Sequence, residues 1–130
     1  MTDHRVLHIG IAPREAIKRR TIAIAKGELR PRPDDPRIWL TSFESLGKVL
    51  SESNMHLLEI IRNGKPRSIT ELARLSGRAK SNLSRTLGTM EGFGLVEMRI
   101  EDSRKVPTVY YDRVQFELAL DREPETMAAA

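Results

Sequence analysis

Residues 68–96 read SITELARLSGRAKSNLSRTLGTMEGFGLV. Ser68-Ile-Thr-Glu71 has capping-box spacing, a hydroxyl followed three residues later by a glutamate, and this opens a helix. Ile69, Leu72, Ala73 and Leu75 mark the inward face of that helix, and Gly77 stops it. A second helix is predicted over about 79–93, with Leu83, Leu87 and Met90 inward and Gly94 as its stop. Its other face carries small polar and basic side chains: Lys80, Ser81, Ser84, Arg85 and Thr89. A rod anchored on one side and set with short polar and cationic groups on the other suits the DNA major groove.

Downstream, Leu95–Glu101 alternates as a strand does, and Asp102–Val106 reads as a polar, basic turn. Pro107–Asp112, PTVYYD, is the returning strand, and Gln115–Leu120 is one more. Upstream, a helix is predicted over about Ser53–Asn63, burying Leu57, Leu58, Ile60 and Ile61 and stopping at Gly64 with Pro66 beyond. Before it, Thr41-Ser-Phe-Glu44 is a second capping box, opening a helix with Phe43, Leu46, Val49 and Leu50 inward. Three helices followed by a two-stranded hairpin make a winged helix-turn-helix.

The two ends add to this core. Val6–Ala12, VLHIGIA, is an apolar strand, and Pro13 fits the first position of a following helix that runs to about Lys26. Ile17, Thr21 and Ile24 are expected on its inner face, with Arg14, Lys18, Arg19 and Arg20 on the outer one. Residues 30–36, RPRPDDP, form a proline-rich link in which Asp34-Asp35 reads as a solvated turn, and Arg37–Leu40 is a short strand. The expected class is α+β, mainly α, a winged helix-turn-helix with an N-terminal strand-helix extension. Residues 1–41 are that extension and a candidate dimerisation element. Residues 42–113 are the DNA-binding domain, and 114–130 are a C-terminal strand and an acidic, flexible tail.

Composition bounds the function. At 130 residues, 39% hydrophobic and 31% charged, the chain suits a soluble globular protein. The net charge is only +4, but it is concentrated: Arg62, Lys65, Arg67, Arg74, Arg78, Lys80 and Arg85 face a single acid, Glu71, in that stretch. Such a patch favours an anionic partner. There are no cysteines, so disulfides, thiol nucleophiles and zinc-thiolate sites are excluded. No segment approaches the roughly 20 apolar residues of a membrane span. The chain is therefore expected in the cytoplasm.

Within the second helix, Arg85 can grip guanine O6 and N7 in a bidentate fork and Asn82 can pair with adenine, each worth about 1–3 kcal/mol of discrimination. Lys80 and Ser81 stand in the first turn, where backbone N–H groups favour phosphate. Gly88 weakens the helix by about 1 kcal/mol relative to alanine. Close packing against a neighbouring helix is the expected reason, and close approach to the DNA backbone is the alternative. At the hairpin tip, Arg99, Arg104 and Lys105 can reach the minor groove or flanking phosphates. The expected DNA-binding set is Arg67, Arg78, Lys80, Ser81, Asn82, Ser84, Arg85, Thr89, Arg104 and Lys105.

The stretch GRAKSNLSRTLGTMEGFGLVE resembles the recognition helix and following strand of winged-helix regulators of the MarR and ArsR type, through Gly77, Ser81, Ser84, Arg85, Leu87, Glu91, Gly94, Leu95 and Val96. The whole chain is similar to a small prokaryotic group of predicted MarR-like DNA-binding proteins, some encoded beside toxin-like partners. That resemblance implies base contacts from Lys80, Ser81, Ser84 and Arg85, hairpin contacts near Arg104, and a homodimer on a palindromic or direct-repeat site. It departs in two ways: Ala79 replaces the usual capping serine or threonine, and the long flanking helices of large MarR proteins are missing.

The expected function is sequence-specific binding of double-stranded DNA by a transcriptional repressor. The alternative is an antitoxin or protein-interaction module, with DNA binding secondary or absent. Catalysis is not expected, because no nucleophile-base-acid set emerges. His4 and His8 are four apart on a strand, a spacing that does not build a compact metal pair with any nearby acid, and His56 reads as structural. No cofactor or metal is expected. RNA or single-strand binding usually relies on exposed aromatics. Trp39, Phe43 and Phe93 read as core, and one of Tyr110 and Tyr111 must face outward.

Overall fold

A computed structural model describes residues 5–33 and 35–120. Their order is β1 (Val6–Ile11), α1 (Arg14–Ala25), β2 (Ile38–Leu40), α2 (Glu44–Val49), α3 (Glu52–Gly64), α4 (Ile69–Ser76), α5 (Lys80–Gly92), β3 (Glu97–Glu101), β4 (Arg104–Thr108) and β5 (Arg113–Leu118). The class is a small α+β fold. The chain divides into two compact units. Ser45–Tyr111 is one, and the described residues on either side of it make the other. The expected three-part division at 41 and 113 gives way to one in which both ends share a unit. His4, Asp34 and the expected flexible tail beyond residue 120 lie outside the described residues.

The unit built from the two ends is a parallel sheet in the order β2-β1-β5, with β1 between the other two. Ile9 pairs with Ile38 and Ile11 with Leu40 on one side of β1. Val6 pairs with Arg113 and Ile11 with Leu118 on the other. Parallel neighbours need a crossover connection, and α1 supplies it between β1 and β2. Ile17, Trp39 and Ala119 pack against Ala12 and Ala16. The Trp39 indole lies directly over Gly10, where any side chain would collide with the ring.

The inner face of α1 differs from its expected one. Ala16 and Arg20 are its buried residues, whereas Thr21 is exposed and donates its hydroxyl proton to the Ile17 carbonyl, 3.0 Å away. Arg20 turns inward because it has a partner there. Its Nη2 lies 3.2 Å from Asp35 Oδ2, which also accepts the Arg32 N–H at 2.7 Å. The guanidinium carbon sits 5.5 Å from the Trp39 ring centroid, a cation–π arrangement. Asp35 is thus a buried counter-ion, only 5% exposed, and not the solvated turn residue its proline-rich surroundings suggest.

In the other unit, α3 is capped by Ser51, whose Oγ accepts the Asn54 N–H. Its left-handed stop is Lys65, at φ 45°, one residue beyond the expected Gly64. α4 starts at the predicted cap: Ser68 Oγ accepts the Glu71 N–H at 3.0 Å, while the Glu71 carboxylate reaches one residue beyond the cap and accepts the Arg67 N–H. Gly77, at φ 74°, ends it in the left-handed region, which glycine adopts without steric cost. Leu57, Ile61, Leu72, Leu83, Leu87, Met90 and Leu95 form the core. Leu75, expected inward, is 41% exposed.

The remaining differences are local. The helix expected from Thr41 opens at Glu44, so Phe43 precedes it. Phe43 is not core. It is partly exposed and meets Phe116 edge-on at 5.1 Å. β3 and β4 are antiparallel, with Glu101 opposite Arg104. The five-residue turn expected between them is two residues, Asp102 and Ser103, both with positive φ, as tight hairpin turns require. Arg104 and Lys105 therefore belong to β4. Tyr110 and Tyr111 lie past that strand. Tyr111 is the buried one: its hydroxyl donates to the Leu95 carbonyl at 2.7 Å, and burial first, then Tyr110, pushes its pKa well above the ordinary value.

Candidate nucleic-acid interface

α5 is held from beneath by Leu83, Leu87 and Met90, each almost fully buried, with Leu95 sealing the turn beyond its end. These residues recur at three and four positions, so they line one face. The opposite face is fixed by that anchoring. Lys80, Ser81, Asn82, Ser84, Arg85, Gly88 and Thr89 are all exposed. Among the described residues, the side chains of Lys80, Ser81, Asn82, Ser84 and Arg85 have no hydrogen-bonding or ionic partner. Thr89 donates its hydroxyl proton to the Arg85 carbonyl, 3.2 Å away.

Gly88 corrects the expected packing role. A Cβ added there meets nothing within 4 Å, so no neighbouring helix requires a glycine. It stands on the exposed face one turn beyond Ser84 and Arg85. Ala79 precedes α5 with an extended backbone and no side-chain cap. The first-turn N–H groups of Lys80, Ser81 and Asn82 are thereby left to solvent or to an anion.

The structure gathers Lys80, Ser84, Arg104 and Lys105 around one hollow of about 550 Å³, together with Ser68, Ile69 and Thr70. Three elements meet there: the N-terminal turn of α4, the start of α5 and the first residues of β4. Three cations and three hydroxyls converge, without a carboxylate in the lining. Arg104 and Lys105 are held by strand pairing opposite Glu101 and Ile100.

The HVO_A0114 family model matches residues 49–116. The chain belongs to the HVO_A0114 family. The matched span of this HVO_A0114 member runs from Val49 at the end of α2 to Phe116 inside β5, so it contains every residue around the hollow. No curated protein matches the chain.

Two expected residues of the HVO_A0114 chain lie elsewhere. Arg67 lines a second hollow, of about 800 Å³, with Arg62, Lys65 and Arg99, where Glu71 and Glu101 offset the positive charge. Arg99 is also held 3.2 Å from Glu97. Arg78 is taken up internally: its Nη2 donates to the Ser53 carbonyl at 3.0 Å and contacts Ser53 Oγ at 3.2 Å, tying the α4–α5 turn to α3. Ser68 and Thr70 were missed by sequence reasoning, which read Ser68 as a cap alone. Their signal was the capping box itself, since a helix start that faces a basic hairpin gathers anion-binding groups.

His56 is an exposed side chain with Nδ1 3.5 Å from Glu59. Among the described residues, no three His, Asp or Glu side chains cluster to hold a metal ion, and no helix is long and apolar enough to cross a membrane.

Proposed function

We propose that this chain is a winged helix-turn-helix transcriptional regulator that binds double-stranded DNA in a sequence-specific way. α5 is the recognition helix and lies in the major groove, and the β3–β4 hairpin is the wing. It represses by occupying its operator. The observation that carries this reading is the carboxylate-free hollow joining Lys80 and Ser84 of α5 to Arg104 and Lys105 of the hairpin. A phosphate backbone running past α5 supplies the anions that such a hollow suits.

The contacts divide by chemistry. Arg85, with Ser81 and Asn82, reads base edges, because these groups project from a helix face that carries little bulk. Lys80, Ser68, Thr70, Arg104 and Lys105 hold phosphates and set the register of the helix. Thr89 extends the polar face toward the end of α5.

The test is selection of a duplex from randomised sequence, followed by titration across a range of salt. Binding should weaken steeply as salt rises, and log K should fall by about 0.9 per neutralised phosphate for each tenfold rise in salt. Arg85→Ala should flatten the preference at one base position, costing about 1–3 kcal/mol there. Lys105→Ala should weaken all duplexes alike and lower the salt slope by about 1. Equal affinity for every duplex removes the operator, and salt-insensitive binding removes the phosphate contacts.

A further inference from the structure

Among the described residues, β5 is an edge strand of its sheet. In the order β2-β1-β5 it bonds, among the described residues, to β1 alone. Its Arg113 N–H donates to the Arg5 carbonyl and the Ala119 N–H to the Ile11 carbonyl. Strand groups alternate, so the odd-numbered residues turn their N–H and C=O toward β1. The N–H and C=O groups of Val114, Phe116 and Leu118 then point out of the sheet edge. Natural edges are usually blunted by proline, by bulges or by a cover. β5 contains no proline, and Arg113, Gln115, Phe116, Glu117 and Leu118 are all exposed.

We propose that two copies of this chain associate through β5, antiparallel, with Gln115 on the two-fold axis. An antiparallel pair must set outward-pointing residues opposite one another, which restricts the axis to a residue and excludes a position between residues. Centring on Gln115 sets Arg113 opposite the second copy's Glu117, and Glu117 opposite its Arg113. Val114 then faces Phe116, twice. Centring on Phe116 leaves Glu117 opposite Gln115, and centring on Glu117 sets two carboxylates face to face, which is unfavourable. Charge complementarity therefore selects one register. The result is a continuous six-stranded sheet with an isologous interface, closed by symmetry. Phe116 and Leu118 share a face with Ile9 and Ile11 in the register, so the apolar face of the sheet becomes continuous across the axis. The inference is independent of DNA binding, since every residue in it lies outside the α4–α5 and hairpin hollow.

Cysteine cross-linking of the full chain tests this directly, because the native sequence has no cysteine. Gln115 occupies a non-hydrogen-bonded pair, where opposed Cα atoms stand about 4.5 Å apart, within disulfide range. Gln115→Cys should give a covalent dimer under mild oxidation. Glu117→Cys should not, as its two copies would lie roughly 14 Å apart along the strands. The wild-type chain should sediment at twice its monomer mass, and Glu117→Arg, which opposes two arginines, should sediment as monomer with an unchanged circular dichroism spectrum. A monomeric wild type overturns the proposal and leaves the edge to a strand of another protein. Equal cross-linking at both positions, or a Glu117→Arg dimer, overturns it as well.

Discussion

Gly88 sits in the middle of α5, where glycine is a poor helix former, and nothing in the fold requires it. A larger residue there projects into open space. Gly88→Leu should therefore raise the thermal midpoint, by the equivalent of roughly 0.8 kcal/mol of helix propensity. On the proposed function the same change puts a branched side chain between the helix and the DNA, and affinity should fall at least tenfold. Unfolding curves and duplex titration on one sample separate the two effects. Higher stability with undiminished DNA binding would take α5 out of the groove. The face of Gly88 could be read from its spacing to Ser84 and Arg85, but its surroundings could not, because an empty neighbourhood leaves no trace in a local pattern.

At the scale of elements, α1 and the link before β2 are joined by an ion pair between Arg20 and Asp35. Both side chains are almost fully buried, and Arg20 Nε and Asp35 Oδ1 have no hydrogen-bond partner among the described residues. Removing one member of a buried pair leaves the other charge without compensation, at about 3–5 kcal/mol. Asp35→Ala should thus lower the stability of the sheet-containing unit by about that amount, by urea denaturation. The double variant Arg20→Met with Asp35→Ala should regain most of the loss, since an apolar replacement leaves no orphaned charge. A double variant no better than Asp35→Ala would assign the loss to the other bond of Asp35, from the Arg32 N–H, and not to an orphaned arginine charge. Helical periodicity misassigns Arg20 because it treats every arginine as a surface residue. Its pairing partner lies fifteen positions away, in a segment whose prolines suggest solvent.

For the molecule as a whole, the two chain ends meet in one sheet: β5 bonds along the full length of β1. A chain ending after Tyr111 loses that neighbour and leaves β1 with only the three residues of β2 beside it. It should lose the cooperative unfolding of the sheet unit while α3, α4 and α5 keep their circular dichroism signal, because their core lies within Ser45–Tyr111. Loss of all helical signal would make the two units one cooperative body. The α3–β4 stretch was legible almost element by element. Capping boxes, leucine spacing and glycine stops are short-range signals, and each acts within one or two turns. By itself the sequence determined which helices form, which leucines of α3 and α5 turn inward, and which cations and hydroxyls α5 presents. Only the tertiary structure decided that β5 returns to β1, that Arg20 is buried on Asp35, and that Ser68 and Thr70 join Lys80, Arg104 and Lys105 around one hollow. Those outcomes depend on contacts between residues far apart in the chain, whose free energy exists only once the intervening segments have been placed.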